Sequence, residues 1–241
     1  MRKLVILSIA VSAVMTLSSC GEKVIFNKME DVAISFANRG CVYLWLYNHS
    51  GMNAVESDAD SCKLNIQLAG VRKEECDNYY AYSEEPDPEI EQALKIYLGN
   101  PRPHRSNASP LTRSATTLPT TVFKTIEYRT EELTDIRVKA SVPLFGCNAG
   151  EDISDHAVLC RFYYYDSTED YIISSDKKVI GQFPKEIKVQ DYLSYHPLAF
   201  PRVTLKLDRI DEGLPMDVTF TVELEFAGGR TISDTVDIKL I

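Results

Sequence analysis

The chain has 241 residues, 44% of them hydrophobic and 25% charged, and 35 acidic side chains against 26 basic ones give it a formal charge of −9. That balance, with no run of Lys and Arg able to neutralise successive phosphates, excludes nucleic acid and anionic lipid surfaces as partners. The hydrophobic content, with only eleven glycines, excludes a disordered chain, and the length is enough to bury a core without structural metal.

The first twenty residues read as an export signal. Arg2 and Lys3 make a basic head, residues 4–17 an apolar run, and Leu17-Ser18-Ser19-Cys20 a small-residue end. The run is too short for a spanning helix, which takes roughly 20 residues. The layout is that of a bacterial lipoprotein signal, with an ordinary secretory signal as the alternative. Cleavage between Ser19 and Cys20 makes residues 1–19 the signal peptide and leaves Cys20 to be acylated, so the expected partner of the N-terminus is a membrane reached through lipid. Gly21, where an aspartate would favour inner-membrane retention, points to the outer membrane, facing either the periplasm or the surface.

Residues 20–100 read as a mixed α+β part. Segments 41–48 and 63–69 have strand composition. In the first, alternation puts Tyr43, Trp45 and Tyr47 on one face and Leu44 and Leu46 on the other. The aromatic face is either a platform for stacking sugars or gripping a partner, or one side of a sheet buried on both. From Asp87 to Gly99 the grammar is helical: Asp87 can cap, Pro88 suits the first turn, Ile90, Leu94, Tyr97 and Leu98 share a face, and Gly99 can end it. Residues 101–121, rich in Pro, Ser and Thr, read as a connector that either links two parts or forms a long exposed loop, with a candidate boundary near residue 110.

Residues 122–241 read as almost wholly β. Segments 123–130, 134–142, 158–165 and 202–207 are strand candidates. In residues 218–226, Val218, Phe220, Val222, Leu224 and Phe226 alternate with Thr and Glu. Ala227-Gly228-Gly229-Arg230 then turns the chain into a second alternating run through Ile232, Val236, Ile238 and Leu240. In Phe162-Tyr163-Tyr164-Tyr165, Tyr163 and Tyr165 share a face with Arg161 and are the better candidates to reach water. The predicted fold is mainly β, an antiparallel β-sandwich of immunoglobulin-like or related type, with one short helix in the N-terminal part.

Besides Cys20 the chain has Cys41, Cys62, Cys76, Cys147 and Cys160. In an exported chain, proximity predicts the disulfides Cys62–Cys76 and Cys147–Cys160. No G-x-S-x-G elbow, H-E-x-x-H pair, close cysteine pair or calcium-loop spacing occurs, so no catalytic residue, metal ligand or cofactor is predicted. The densest polar cluster, Glu151-Asp152-Ile153-Ser154-Asp155-His156, reads as an exposed loop.

The Leu17 to Cys20 signal, the chain length and the β-rich stretch 202–241 resemble small uncharacterised outer-membrane lipoproteins of Bacteroidota. Leu133-Thr134-Asp135-Ile136 entering a strand, followed by Gly150-Glu151-Asp152-Ile153-Ser154-Asp155, is similar to a segment of one such family. Asp166-Ser167-Thr168 and Asp234-Thr235-Val236 look like the O-glycosylation sequon of that phylum. The resemblance implies an envelope location and a sandwich fold, and brings no catalytic residue with it. The expected role is a lipid-anchored, non-catalytic binding module, with Trp45, Tyr163 and Tyr165 as contact residues and a glycan or another envelope protein as partner. The alternatives are an envelope hydrolase with a dispersed acidic site at Asp152, Asp155 or His156, and a passive structural subunit of an outer-membrane complex.

Overall fold

Two antiparallel sheets face each other across one core, and their strands come from both sides of the 101–121 segment. The computed structural model describes residues 32–48, 56–76, 83–99, 122–162, 170–211 and 213–241. Its strands are β1 (Val32–Asn38), β2 (Tyr43–Asn48), β3 (Glu56–Ser57), β4 (Lys63–Ala69), β5 (Val122–Tyr128), β6 (Leu133–Ala140), β7 (Ala157–Cys160), β8 (Tyr171–Ile173), β9 (Val179–Gln182), β10 (Glu186–Lys188), β11 (Arg202–Leu207), β12 (Met216–Phe226) and β13 (Thr231–Leu240). The α-helices are α1 (Pro88–Tyr97) and α2 (Val189–Leu193). One sheet has the order β10-β7-β11-β4-β2 and the other β3-β13-β12-β6. All their pairings are antiparallel except the two-residue contact of β3 with β13.

Strand alternation explains the packing. Leu64, Ile66 and Leu68 of β4 and Val203, Leu205 and Leu207 of β11 turn inward against Phe220, Val222 and Leu224 of β12, all at most 2% exposed and all in one buried cluster. The β12–β13 hairpin runs in continuous register from Met216↔Leu240 to Glu225↔Thr231. Gly228 and Gly229 at φ 90° and 81° make its turn, a conformation that other residues adopt at a cost. On the outer face of this sheet Lys139 pairs with Glu223 at 2.8 Å and Arg137 with Glu225 at 3.1 Å, a solvated ladder of opposite charges.

Asp87 caps α1 as expected, its Oδ1 accepting from the backbone N–H of Glu89 and Ile90. Ile90 and Leu94 are buried in a second, smaller cluster with Ile126, Tyr128, Ile173 and Leu198, alongside the two-stranded pairs β1-β5 and β8-β9. Tyr97, expected on the buried face, is half exposed and meets Tyr171 edge-on, with ring centres 5.6 Å apart.

Three sequence expectations change. First, β4 of the predicted N-terminal part pairs with β11 of the C-terminal part, Asn65 opposite Thr204. Residues 34–102 and 124–241 thus form one compact unit, and the sandwich is not confined to 122–241. Second, the strand expected over 158–165 is described only as far as Cys160. Third, Cys41, Cys62, Cys76, Cys147 and Cys160 are all free thiols. Cys62 is fully buried in the inner cluster, whereas Cys76, seven residues beyond the end of β4, is partly exposed and outside that cluster. Cys147 packs against the inner cluster, while Cys160 alternates with the buried Leu159 and so faces out. The signal peptide, Ser19, Cys20, the connector 101–121, Tyr163, Tyr165 and Asp166-Ser167-Thr168 lie outside the described residues.

Candidate functional site

The outer face of the five-stranded sheet concentrates the unusual side chains. On β2, Leu44 and Leu46 are buried and Tyr43, Trp45 and Tyr47 are half exposed, so the aromatic row predicted from alternation faces away from the core. Register continues that row across the sheet: Trp45 lies opposite Gln67 and Gln67 opposite Arg202, while Tyr47 lies opposite Asn65 and Asn65 opposite Thr204.

At the β2 edge this face opens into a groove of about 350 Å³, bordered by Tyr43, Trp45, Arg72, Lys73, Ile232 and Asp234. The segment after β4 folds back to place its basic residues here. Trp45 Nε1 donates to Val71 O at 3.0 Å, which fixes the indole, and the Arg72 guanidinium lies 5.6 Å from the centre of the Tyr43 ring. That distance is within cation–π range.

The groove floor is a strand edge held shut by charge. Among the described strands β2 pairs with β4 alone; on its other side Leu46 N–H donates to Asp234 Oδ2 at 2.7 Å and Leu46 O accepts from Lys73 Nζ at 2.7 Å. Lys73 and Asp234 complete the clamp with an ion pair of 2.8 Å. Asp234 occupies an inward phase of β13, between Ile232 and Val236, where an apolar residue would otherwise stand. An inward charge at an edge is a known guard against unwanted strand pairing.

A buried charge cluster lies beside the same sheet. Arg129 is fully buried and donates to Leu68 O and Tyr128 O at 2.5 and 3.0 Å, and Glu127 meets Arg129 at 3.7 Å and Arg202 at 3.3 Å. Asp170, only 6% exposed, completes the group, and its Oδ2 has no hydrogen-bond donor among the described residues. Burial pushes the Asp170 carboxyl up to about 6; Arg202 opposes this most, Glu127 reinforces it, and Arg161 and Arg129 oppose it less.

The other predicted groups do not assemble. Both oxygens of Asp152 are engaged in its own turn and in β6, accepting from Val138 N–H, Ser154 N–H and the Ser154 hydroxyl. His156 stacks on Phe145 with ring centres 4.6 Å apart and turns toward Asp208 at 3.3 Å. Asp155 is exposed. Burial raises the Cys62 thiol to about 11; burial and then Glu131 raise Cys41 to about 12, with Arg230 opposing, so neither is a nucleophile near neutral pH. Among the described residues no group of three or more His, Cys, Asp and Glu side chains could hold a metal.

Sequence reading missed the Arg129–Glu127–Arg202–Asp170 cluster and the cations that accompany Trp45. Part of their signal was present as phase, since Glu127 and Arg202 occupy polar positions of alternating strands, whereas Arg72, Lys73, Arg129 and Asp170 lie outside strands. Which strands adjoin could not be read from one segment at a time.

The fold and this face define a β-sandwich with one plain charged side and one side bearing aromatic and cationic groups. No family model, curated protein or solved structure matches the chain.

Proposed function

We propose that this chain is a lipid-anchored envelope protein that acts by binding rather than catalysis, and that the aromatic edge of β2 is its contact surface, with a saccharide as the occupant. The observation that carries the reading is Trp45 held outward by its bond to Val71 O, beside Tyr43 and Arg72, over a groove of about 350 Å³. Flat aromatic faces flanked by fixed polar groups suit the apolar face and hydroxyl rim of a sugar ring. The lipid anchor rests on the Leu17 to Cys20 signal.

Trp45 is the chain's single tryptophan, so its emission reports directly on this face. Titration with neutral gluco-, manno- and xylo-oligosaccharides is expected to shift that emission saturably, and Tyr43→Ala to weaken the response about tenfold. No response to any of the three, together with photo-crosslinking from position 43 that captures one envelope protein, would replace the sugar by a protein partner. Labelled palmitate should enter the wild-type chain in a bacterial host and not Cys20→Ala. Equal labelling of both would remove the anchor from the proposal.

A further inference from the structure

The opposite end of the same sheet face carries a second concavity, of about 310 Å³, lined by Lys63, Cys160, Arg161, Lys185, Glu186, Thr204 and Lys206. Among the described residues four cations and one carboxylate thus meet in a protein whose overall charge is −9. Strand register forces part of this. Lys206 lies directly opposite Lys63 across the β11–β4 ladder, and Lys206 and Lys188 both lie opposite Val158 on the strand between them. Like charges opposed on one face of an antiparallel pair destabilise a sheet, so stability does not account for the arrangement.

Compensation inside the pocket is partial. Glu186 takes Lys206 at 3.1 Å and interacts more weakly with Lys185 and Lys63; Asp208 acts weakly on Lys206, and Asp170 on Arg161. Arg161 spends Nε and one Nη on Phe183 O, at 3.1 and 2.6 Å, which fixes the guanidinium and leaves its other Nη without a hydrogen bond among the described residues. Among the same residues, the Lys63 and Lys185 side chains have no ion pair or hydrogen bond. The floor is polar and ordered: the Thr204 hydroxyl donates to Asn65 Oδ1 at 2.8 Å, and both residues are 3% exposed. Cys160 sits in the floor as a neutral thiol, held protonated by burial and then by Glu186 against Lys206, Lys63 and Lys185.

We propose that this pocket binds a tetrahedral oxyanion, a sulfate or phosphate ester group, through Lys63, Lys185 and Arg161. Unpaired ammonium groups beside a fixed guanidinium supply the charge-assisted donors that such a group needs. The volume is at the low end for small-molecule pockets and exceeds what one bare ion fills, so the anion arrives on a carrier of monosaccharide size. The site is independent of the aromatic groove and stands if the saccharide reading of that groove fails.

Cys160 provides the readout. At pH 9, where a fraction of this thiol ionises while the lysines stay charged, full-length protein is alkylated with iodoacetamide, a neutral reagent, and modification is followed peptide by peptide while sulfate or phosphate replaces chloride at constant ionic strength. The expected result is saturable protection of Cys160 by at least fivefold, no protection of Cys76, and loss of the effect in the double variant Lys63→Ala/Lys185→Ala. Glucose 6-phosphate and glucose 6-sulfate then distinguish the two esters, with glucose as the blank. Protection that does not saturate, that chloride matches, or that survives in the double variant overturns the proposal. Melting temperature is an independent check: sulfate and phosphate stabilise folded chains generally, so both should raise it in both proteins, with a larger, saturable rise in the wild type, and an equal rise in both proteins counts against the site.

Discussion

Replacing Asp170 by asparagine tests the electrostatics of the buried cluster. The carboxyl is 6% exposed, faces Arg202, Glu127, Arg161 and Arg129, and is raised from an ordinary 3.8 to about 6. A folded-state value above the unfolded one means that the native chain holds the proton more tightly, so stability falls as pH rises through this window. At 1.36 kcal/mol per tenfold change, the full cost of ionising Asp170 in the fold is about 3 kcal/mol, complete above pH 7 and absent below about pH 4. Between pH 7 and pH 5 roughly 1 kcal/mol of that cost disappears. The carboxamide of the variant has no proton to lose. Urea unfolding of the wild type and of Asp170→Asn at both pH values gives a double difference in which every other titrating group cancels. The wild type should gain about 1 kcal/mol on the variant as pH falls from 7 to 5. A difference independent of pH, or one of opposite sign, would show that the arginines keep Asp170 ionised and that burial is not the dominant influence.

Three further outcomes follow from the packing. Phe220→Ala, at a fully buried position in the middle of β12, should cost about 3–5 kcal/mol in urea unfolding, because the facing sheet cannot collapse into the space. Asp87→Ala removes the α1 cap and the 2.9 Å pair with Lys177; a loss of about 1 kcal/mol is expected, while Lys177→Ala, which leaves the cap in place, should lose clearly less. Intact mass in denaturant should be the same with and without reductant, with five alkylatable thiols besides Cys20, and a mass two hydrogens lower before reduction would contradict the free cysteines.

The fold was legible where one face of a strand meets core and the other meets water. Residues 218–226 and 202–207 announced themselves because every second side chain is apolar, and α1 because Asp87 and Pro88 together leave little choice of starting point. The site was half legible. Trp45 was placed on the correct face by alternation alone, whereas Lys63, Arg161, Lys185 and Lys206 come from four separate segments that only the strand order brings together. The disulfides misled because short sequence separation suggested closeness, whereas Cys62 and Cys147 pack with the inner cluster and Cys76 and Cys160 do not. The composition of 101–121 left one part or two open, because composition says nothing about which strands pair across a segment.

The pairing of β4 with β11, and of β3 with the far end of β13, fixes an order of events during synthesis. When β2 and β4 leave the ribosome they hold only each other; the neighbour that completes their sheet lies more than 130 residues downstream, and β3 waits for Lys239 and Leu240. Contacts of such long sequence separation slow folding and favour closure in one late step. Until β12 and β13 emerge, the apolar faces of β4 and β2 lack most of their opposing layer, and holdase chaperones have a wide interval in which to keep the chain extended. Loss of the ten residues of β13 would therefore remove the strand beside β12, rather than merely fray an end.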